Sequence, residues 1–143
     1  VLAHPERNDR VQRDTTGLEG LLRLGAVAQG TFPSLMGTFG GASRKTFLRL
    51  LADGRLSLVA SDAHYGRGRP ANVAEGLDAL RAWAPEVDVH TLTVDNPARL
   101  LRGEPLRPLR PVRVRRGWEK YFHKHESSVL TRTRGDGRGW ECD

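Results

Sequence analysis

The stretch LSLVASDAHYG, residues 56–66, decides how this chain reads. Leu56 to Ala60 is an apolar run with a β-branched residue, so it reads as a buried strand. The run stops at Ser61-Asp62, and His64 follows one residue later. In an extended segment residues i and i+2 project to the same side, so Asp62 and His64 can reach one ion or two adjacent ions. Carboxylate and imidazole are ligand types that divalent transition metals accept. The same letters also suit a turn closed by a local hydrogen bond, and the residues alone leave both readings open.

Working upstream, Val1 to Ala3 reads as the end of another buried strand, running into His4-Pro5-Glu6-Arg7. Leu18, Leu21 and Leu22 fall at i, i+3 and i+4, which predicts a helix over Gly17 to Leu24, with Thr16 as N-cap and Gly25 closing it. Ala26 to Thr31 is the next strand. Phe32 to Ala42 is a glycine-rich loop with room for one helical turn. Ser43 is placed to cap a helix over Arg44 to Ala52, with Gly54 beyond it. Downstream, Val73, Leu77, Leu80 and Ala84 mark the buried stripe of a helix over Val73 to Ala84. Val87 to Thr93 is a fourth strand candidate. Asp95 or Asn96 then caps a short helix over Ala98 to Leu101 with Pro97 in its first turn. Strands alternate with helices at roughly 25 to 30 residues, the pattern of βα units in a parallel sheet or barrel.

Parallel α/β folds build their sites at the strand C-termini. His4 and the Asp62/His64 pair both sit there, so all three can point into one crater and form a metal site. Arg7 follows His4 by three residues, and Arg67 and Arg69 follow His64. Guanidinium groups beside a metal suit an anionic substrate, because they hold phosphate bidentately. The alternative is that these are surface arginines in an arginine-rich chain, and for Arg67 alone that is the preferred reading.

Composition narrows the classes. The chain has 143 residues, 38% apolar and 28% charged, which is globular rather than disordered. No apolar run approaches the ~20 residues of a membrane span. Val1 opens the chain in mid-strand with no basic leader, as expected for the C-terminal part of a longer protein. The single cysteine, Cys142, can form no internal disulfide and is consistent with a reducing compartment. It lacks a C-x5-R context, no G-x-S-x-G occurs, and Ser34 to Gly41 lacks the Walker A lysine. Residues 1–106 hold 13 Lys/Arg against 12 Asp/Glu, whereas residues 107–143 hold 10 against 5. The basicity belongs to the end of the chain, where Pro105, Pro108 and Pro111 alternate with arginines. Residues 1–106 are therefore read as the folded domain and 107–143 as an extended, flexible, solvated basic tail. His90, in the fourth strand candidate, reads as a core or surface residue. His123 and His125 form H-K-H in the tail, where a stray metal is the most they suggest. Trp118, Tyr121 and Phe122 beside arginines could touch a membrane surface or nucleic acid, with a solvated tail preferred.

Val-Leu-Ala-His-Pro-Glu-Arg at 1–7, Ser-Leu-Met-Gly-Thr-Phe-Gly at 34–40, Ala-Ser-Asp-Ala-His at 60–64, Arg69-Pro70 and Asn96-Pro97 with Leu100-Leu101 occur in this order. Together they resemble the C-terminal half of bacterial tyrosine-protein phosphatases of the capsule and exopolysaccharide systems, in the PHP (polymerase and histidinol phosphatase) superfamily. The resemblance implies the last three to four βα units of a distorted (β/α)7 barrel around a cluster of divalent metal ions, manganese first, with iron or zinc as alternatives. It implies His4, Asp62 and His64 as metal ligands, Arg7 and Arg69 as catalytic arginines on the phosphate, and Glu6 as a brace for Arg7 or the loop rather than a metal ligand. It further implies a cytoplasmic enzyme whose partner is a phosphotyrosine protein, typically a bacterial tyrosine kinase of polysaccharide export. Neither nucleic acid nor an integral membrane segment belongs to this reading.

The family's H-x-H motif, which precedes H-P-E-R together with further His and Glu ligands, is absent from the residues before His4. A competing expectation is therefore a catalytically incompetent piece with two open sheet edges, prone to self-association. Two further alternatives are another PHP phosphoesterase, such as a histidinol-phosphate phosphatase, and a nucleic-acid-binding module using the basic tail. The S-L-M-G-T-F-G stretch and the ending after Asn96-Pro97 favour the tyrosine phosphatase branch.

Overall fold

The computed structural model describes residues 1–64 and 71–115. Its centre is a parallel three-stranded sheet in the order β1 (Leu2–Ala3), β2 (Ala28–Thr31), β3 (Leu58–Ala60). Leu2 pairs with Ala28, and Gln29, Gly30 and Thr31 pair with Leu58, Val59 and Ala60. Parallel strands require crossovers, and helices supply them. Between β1 and β2 lie a 3-10 turn over Pro5–Arg7, α1 (Asp9–Arg13) and α2 (Thr16–Arg23). Between β2 and β3 lie α3 (Phe32–Met36) and α4 (Gly40–Ala52); α5 (Val73–Trp83) follows β3. The parallel α/β reading therefore holds for these three strands.

The core forms where α4 covers the sheet and α5 packs against α3. Phe47, Leu50, Leu51, Leu56, Leu80 and Leu92 are buried together. Burying such side chains is worth about 1.5–3 kcal/mol each. Gly30 lies at the closest approach of sheet and α4: a Cβ there would meet Phe47 Cε2 at 2.6 Å. Gly76 of α5 likewise lets the Phe32 ring sit against the helix backbone.

Thr16 is the first residue of α2 rather than its cap, and four larger sequence expectations also differ from the structure. Val87 to Thr93 is no strand. Asp88 instead accepts hydrogen bonds from the Thr91 N–H at 2.9 Å and the Thr91 hydroxyl at 2.7 Å, starting a π-helical turn over Thr91–Asp95 that runs into α6 (Asn96–Leu101). These bonds hold the Asp88 carboxyl below the usual carboxylate range. The alternation of Val87, Val89, Thr91 and Thr93 suits a strand, but a local cap offers the backbone a helical start instead. The turn packs against β3.

Secondly, α4 begins at Gly40, so Ser43 is an internal buried residue rather than the cap; its hydroxyl takes a hydrogen bond from Gln12 Nε2. Thirdly, α1 was not expected; Asn8 caps it by accepting from the N–H groups of Arg10 and Val11.

Finally, residues 107–115 are extended but not simply solvated. Leu109, Val112 and Val114 pack against the core. The Val112 N–H donates to Ala52 O at 3.0 Å and the Arg115 N–H to Trp83 O at 2.9 Å. Buried Asn96 clamps the start of this strap: its amide donates to Ser57 O and Arg107 O, and its carbonyl oxygen accepts from the Arg107 N–H. Apolar residues alternating with Pro and Arg suffice to dock an extended segment whose backbone finds partners on the domain.

Candidate functional site

The C-terminal ends of the parallel strands share one side of the sheet, and Arg7 and Asp62 meet there. Pro5–Arg7 forms a single 3-10 turn after β1, with Pro5 at its first position. That turn aims Arg7 across the end of β2. Arg7 Nη2 donates to Thr31 Oγ1 at 2.9 Å and to Asp62 Oδ2 at 2.7 Å, and Nε donates to Ser34 Oγ at 3.3 Å. The Arg7–Asp62 ion pair is 17% exposed on each side chain, so it is largely shielded from water. The face of the guanidinium lies 3.7 Å from the centroid of the Phe39 ring, a cation–π contact. No hydrogen-bond acceptor reaches Arg7 Nη1 among the described residues.

Glu6 points the other way. It is fully buried, and Oε1 accepts from the Thr31 N–H at 3.1 Å and the Thr31 hydroxyl at 3.0 Å. With the Thr31 proton directed to Glu6, Thr31 Oγ1 accepts from the Ser34 hydroxyl at 2.9 Å and from Arg7. The result is an ordered chain from the cation of Arg7 through Ser34 and Thr31 to the carboxylate of Glu6. Glu6 thus braces the loop, as the sequence reading expects.

The loop carrying Phe39 is held from behind. Arg44 of α4 is buried and donates from Nε to Leu35 O at 2.6 Å and from Nη2 to Met36 O, the last carbonyls of α3. Burial pushes its guanidinium down to about 10, so it is still charged at neutral pH. Gly37, at φ 87°, makes the left-handed turn that brings the chain round to Phe39, and it leaves room for the Arg44 head.

His4 and Asp62 are both non-glycine residues in left-handed conformation, at φ 40° and 51°. Such strain concentrates at functional sites and costs about 1–3 kcal/mol per residue. His64 is exposed, and its Nδ1 lies 2.9 Å from Asp62 O. A carbonyl can only accept, so the bond assigns the proton to Nδ1, and in the neutral ring Nε2 then presents its lone pair. That is the tautomer and the outer-shell bond that metal-binding histidines use. Donor chemistry at Asp62 and His64 therefore fits a metal ion. The count does not close a coordination sphere: among the described residues no three His, Cys, Asp or Glu side chains gather as a metal-binding group. His4 lines an open cleft of about 1090 Å³ along β1, α1 and α2, shared with Arg7, Arg10 and Arg13; Asp62 and His64 do not line it.

The structure thus brings Arg7 and Asp62 together and leaves His4 and His64 unclustered. Arg69 and Arg67 lie outside the described residues, as do His123, His125 and the aromatic patch at Trp118. His90 is exposed and pairs with Asp95 at 3.3 Å, away from the site. Sequence reasoning missed Thr31, Ser34 and Phe39 as partners of Arg7. Ser34 and Phe39 stand in the quoted Ser-Leu-Met-Gly-Thr-Phe-Gly stretch, but no pattern in the letters signals Thr31.

Comparison with known proteins finds relatives of one kind. The tyrosine-protein phosphatase YwqE of Bacillus subtilis (strain 168) is 35% identical over 118 residues, covering 81% of this chain and 46% of YwqE. The CapC protein of Staphylococcus aureus is 39% identical over 90 residues, covering 62% of this chain and 35% of CapC. Crystal structures of YwqE from Bacillus subtilis and CpsB from Streptococcus pneumoniae, described as unique metal-dependent tyrosine phosphatases, align with a TM-score of 0.64 at 31% identity. That alignment covers 79% of this chain and 45% of the solved one. The chain spans less than half the length of these relatives. The profile of the family described as capsular polysaccharide synthesis, CpsB/CapC, matches residues 1–102, and the chain belongs to that family.

Proposed function

We propose that this chain supplies the phosphate-binding arginine and part of the metal site of a metal-dependent protein-tyrosine phosphatase. The observation that carries the reading is the immobilised Arg7 guanidinium, tied through Nε and Nη2 and leaving Nη1 for an anion. Both N–H groups of that nitrogen can face the equatorial oxygens of a phosphoryl group, where charge grows during transfer. Arg69 is the second arginine of this reading. Asp62, His64 and His4 are the residues that would hold divalent metal, manganese first, with other ligands completing the sphere. A bound divalent ion supplies Lewis acidity and lowers the pKa of water. Phe39 and the Thr31–Ser34 hydroxyls keep Arg7 from swinging away, and the Asp62–Arg7 contact couples the anion clamp to the ligand loop.

The substrate class that follows is a phosphotyrosine protein, in the first instance a tyrosine kinase of bacterial polysaccharide export, met in the cytoplasm. The parallel sheet is read as one part of a PHP-type barrel, whose open β1 edge favours association with further strands or copies. Among the described residues no helix is long and apolar enough to cross a membrane.

Turnover of para-nitrophenyl phosphate with manganese tests the assignment on the full-length gene product. Loss of activity with EDTA and in His64→Ala is expected; EDTA-resistant turnover overturns it. A second reading rests on the unclosed ligand set: the chain by itself binds metal weakly and turns nothing over. A chain that is active alone with manganese excludes that reading.

A further inference from the structure

Residues 105–115 read Pro-Leu-Arg, Pro-Leu-Arg, Pro-Val-Arg, Val-Arg. A three-residue repeat matches the three residues per turn of an extended polyproline-type segment, so like residues stack in rows. The structure sorts them accordingly. Leu106, Leu109 and Val112 are half-buried, while Arg107, Arg110 and Arg113 are exposed; beyond the repeat, half-buried Val114 and exposed Arg115 follow at a spacing of two. At about 3.1 Å per residue, successive arginines of the repeat stand about 9 Å apart. The segment is fixed rather than loose. Asn96 clamps Arg107, Ala52 and Trp83 accept its backbone N–H groups, and Leu109 O lies where a Cβ on Gly54 would be, at 2.6 Å.

Charge is concentrated here. Residues 107–115 hold four arginines and no acid, whereas residues 116–143 hold 6 Lys/Arg against 5 Asp/Glu. Arg107 pairs with Asp95 at 3.3 Å; Arg110, Arg113 and Arg115 have no ion pair among the described residues. The strap touches the C-terminal ends of α4 and α5 and, through Asn96, the residue Ser57 that leads into β3. It therefore crosses the side of the sheet where the strands begin, opposite Arg7 and Asp62. Immediately before it, Leu101 ends α6 with 88% of its surface exposed, between Arg99 and Arg102.

We propose that this arginine rail is a docking surface for anionic lipid headgroups at a bilayer surface. A row of fixed positive charges with a neighbouring exposed leucine is what interfacial binding uses, charge attraction plus shallow apolar insertion. The rail contains no aromatic residue to stack bases, which disfavours single-stranded nucleic acid. A protein substrate held here would lie on the wrong side of the sheet for Arg7. A membrane on this side leaves the candidate site facing outward.

Co-sedimentation of the whole chain with phosphatidylglycerol-containing vesicles, against phosphatidylcholine vesicles, tests the proposal without reference to phosphatase activity. Binding to the anionic vesicles alone, weakening as salt rises, is expected. Each lost arginine should lower partitioning about fivefold, so Arg110→Glu with Arg113→Glu removes most of it. Arg110→Gln with Arg113→Gln gives an intermediate loss, and Leu101→Ser a smaller one. All three variants should keep the wild-type thermal transition, since these side chains face solvent. Equal binding to neutral vesicles, unchanged binding by the charge-reversed chain, or tighter binding to an oligonucleotide or polyglutamate than to the anionic vesicles at the same salt and charge concentration would overturn it.

Discussion

The loop after β1 and the loop after β3 each hold a candidate ligand in left-handed backbone, His4 in one and Asp62 in the other. They are supported very differently. In the first, Glu6 is fully buried and Arg7 bonds to three side chains and stacks on a ring. In the second, Asp62 takes its position partly from Arg7, and exposed His64 leans on one backbone carbonyl. The difference teaches where rigidity is needed. A guanidinium with four rotatable bonds is useful as an anion clamp only if its neighbours immobilise it. An imidazole needs only its tautomer fixed, and one carbonyl does that.

The sharpest way to break this comparison is Arg7→Ala. Turnover by the full-length protein should fall by about 10²–10³ in kcat/KM, the loss typical of one fixed transition-state donor. The variant should also lose thermal stability, because Asp62 and the Thr31–Ser34 hydroxyls lose their partner. His64→Ala is expected to abolish metal-dependent turnover as well, yet to leave the unfolding midpoint within about 0.5 kcal/mol of wild type, as for an exposed side chain. Equal destabilisation by both variants would erase the distinction between the loops.

Thr31→Val keeps shape and removes the hydroxyl that joins Glu6 to Arg7. Leaving buried polar groups short of a partner should cost about 1–3 kcal/mol in denaturant unfolding. Phe39→Leu removes the ring beneath Arg7 and should cost about 0.5–2 kcal/mol of Arg7 fixation. It is read as a raised KM for aryl phosphate with the unfolding midpoint nearly unchanged. A neutral Thr31→Val would show that the first loop is held by packing rather than by its hydrogen bonds.

Much of this was legible in the letters. Apolar runs ending at His4 and Asp62, and helices with leucine spacing between them, are local patterns, and they gave the parallel α/β order and the candidate ligands. Val87 to Thr93 misled because period-two alternation and an Asp-capped helical turn are both local options, and Asp88 bonding to Thr91 settles the choice. The strap at 107–115 misled because charge and proline suggest solvent exposure, whereas Asn96 and the α4 and α5 ends hold its backbone.

The sequence by itself determined the family, the chemistry available at the strand ends and the row of arginines near the chain's end. Only the tertiary structure decided that Arg7 is tied to Asp62 across 55 residues of chain, that Thr31 and Ser34 link it to Glu6, and that the arginine row is anchored on the opposite side. The physical reason is range. Periodicity and capping act within a few residues and are written in order along the chain, whereas an ion pair or hydrogen-bond chain between strands exists only once the sheet register has brought its members together.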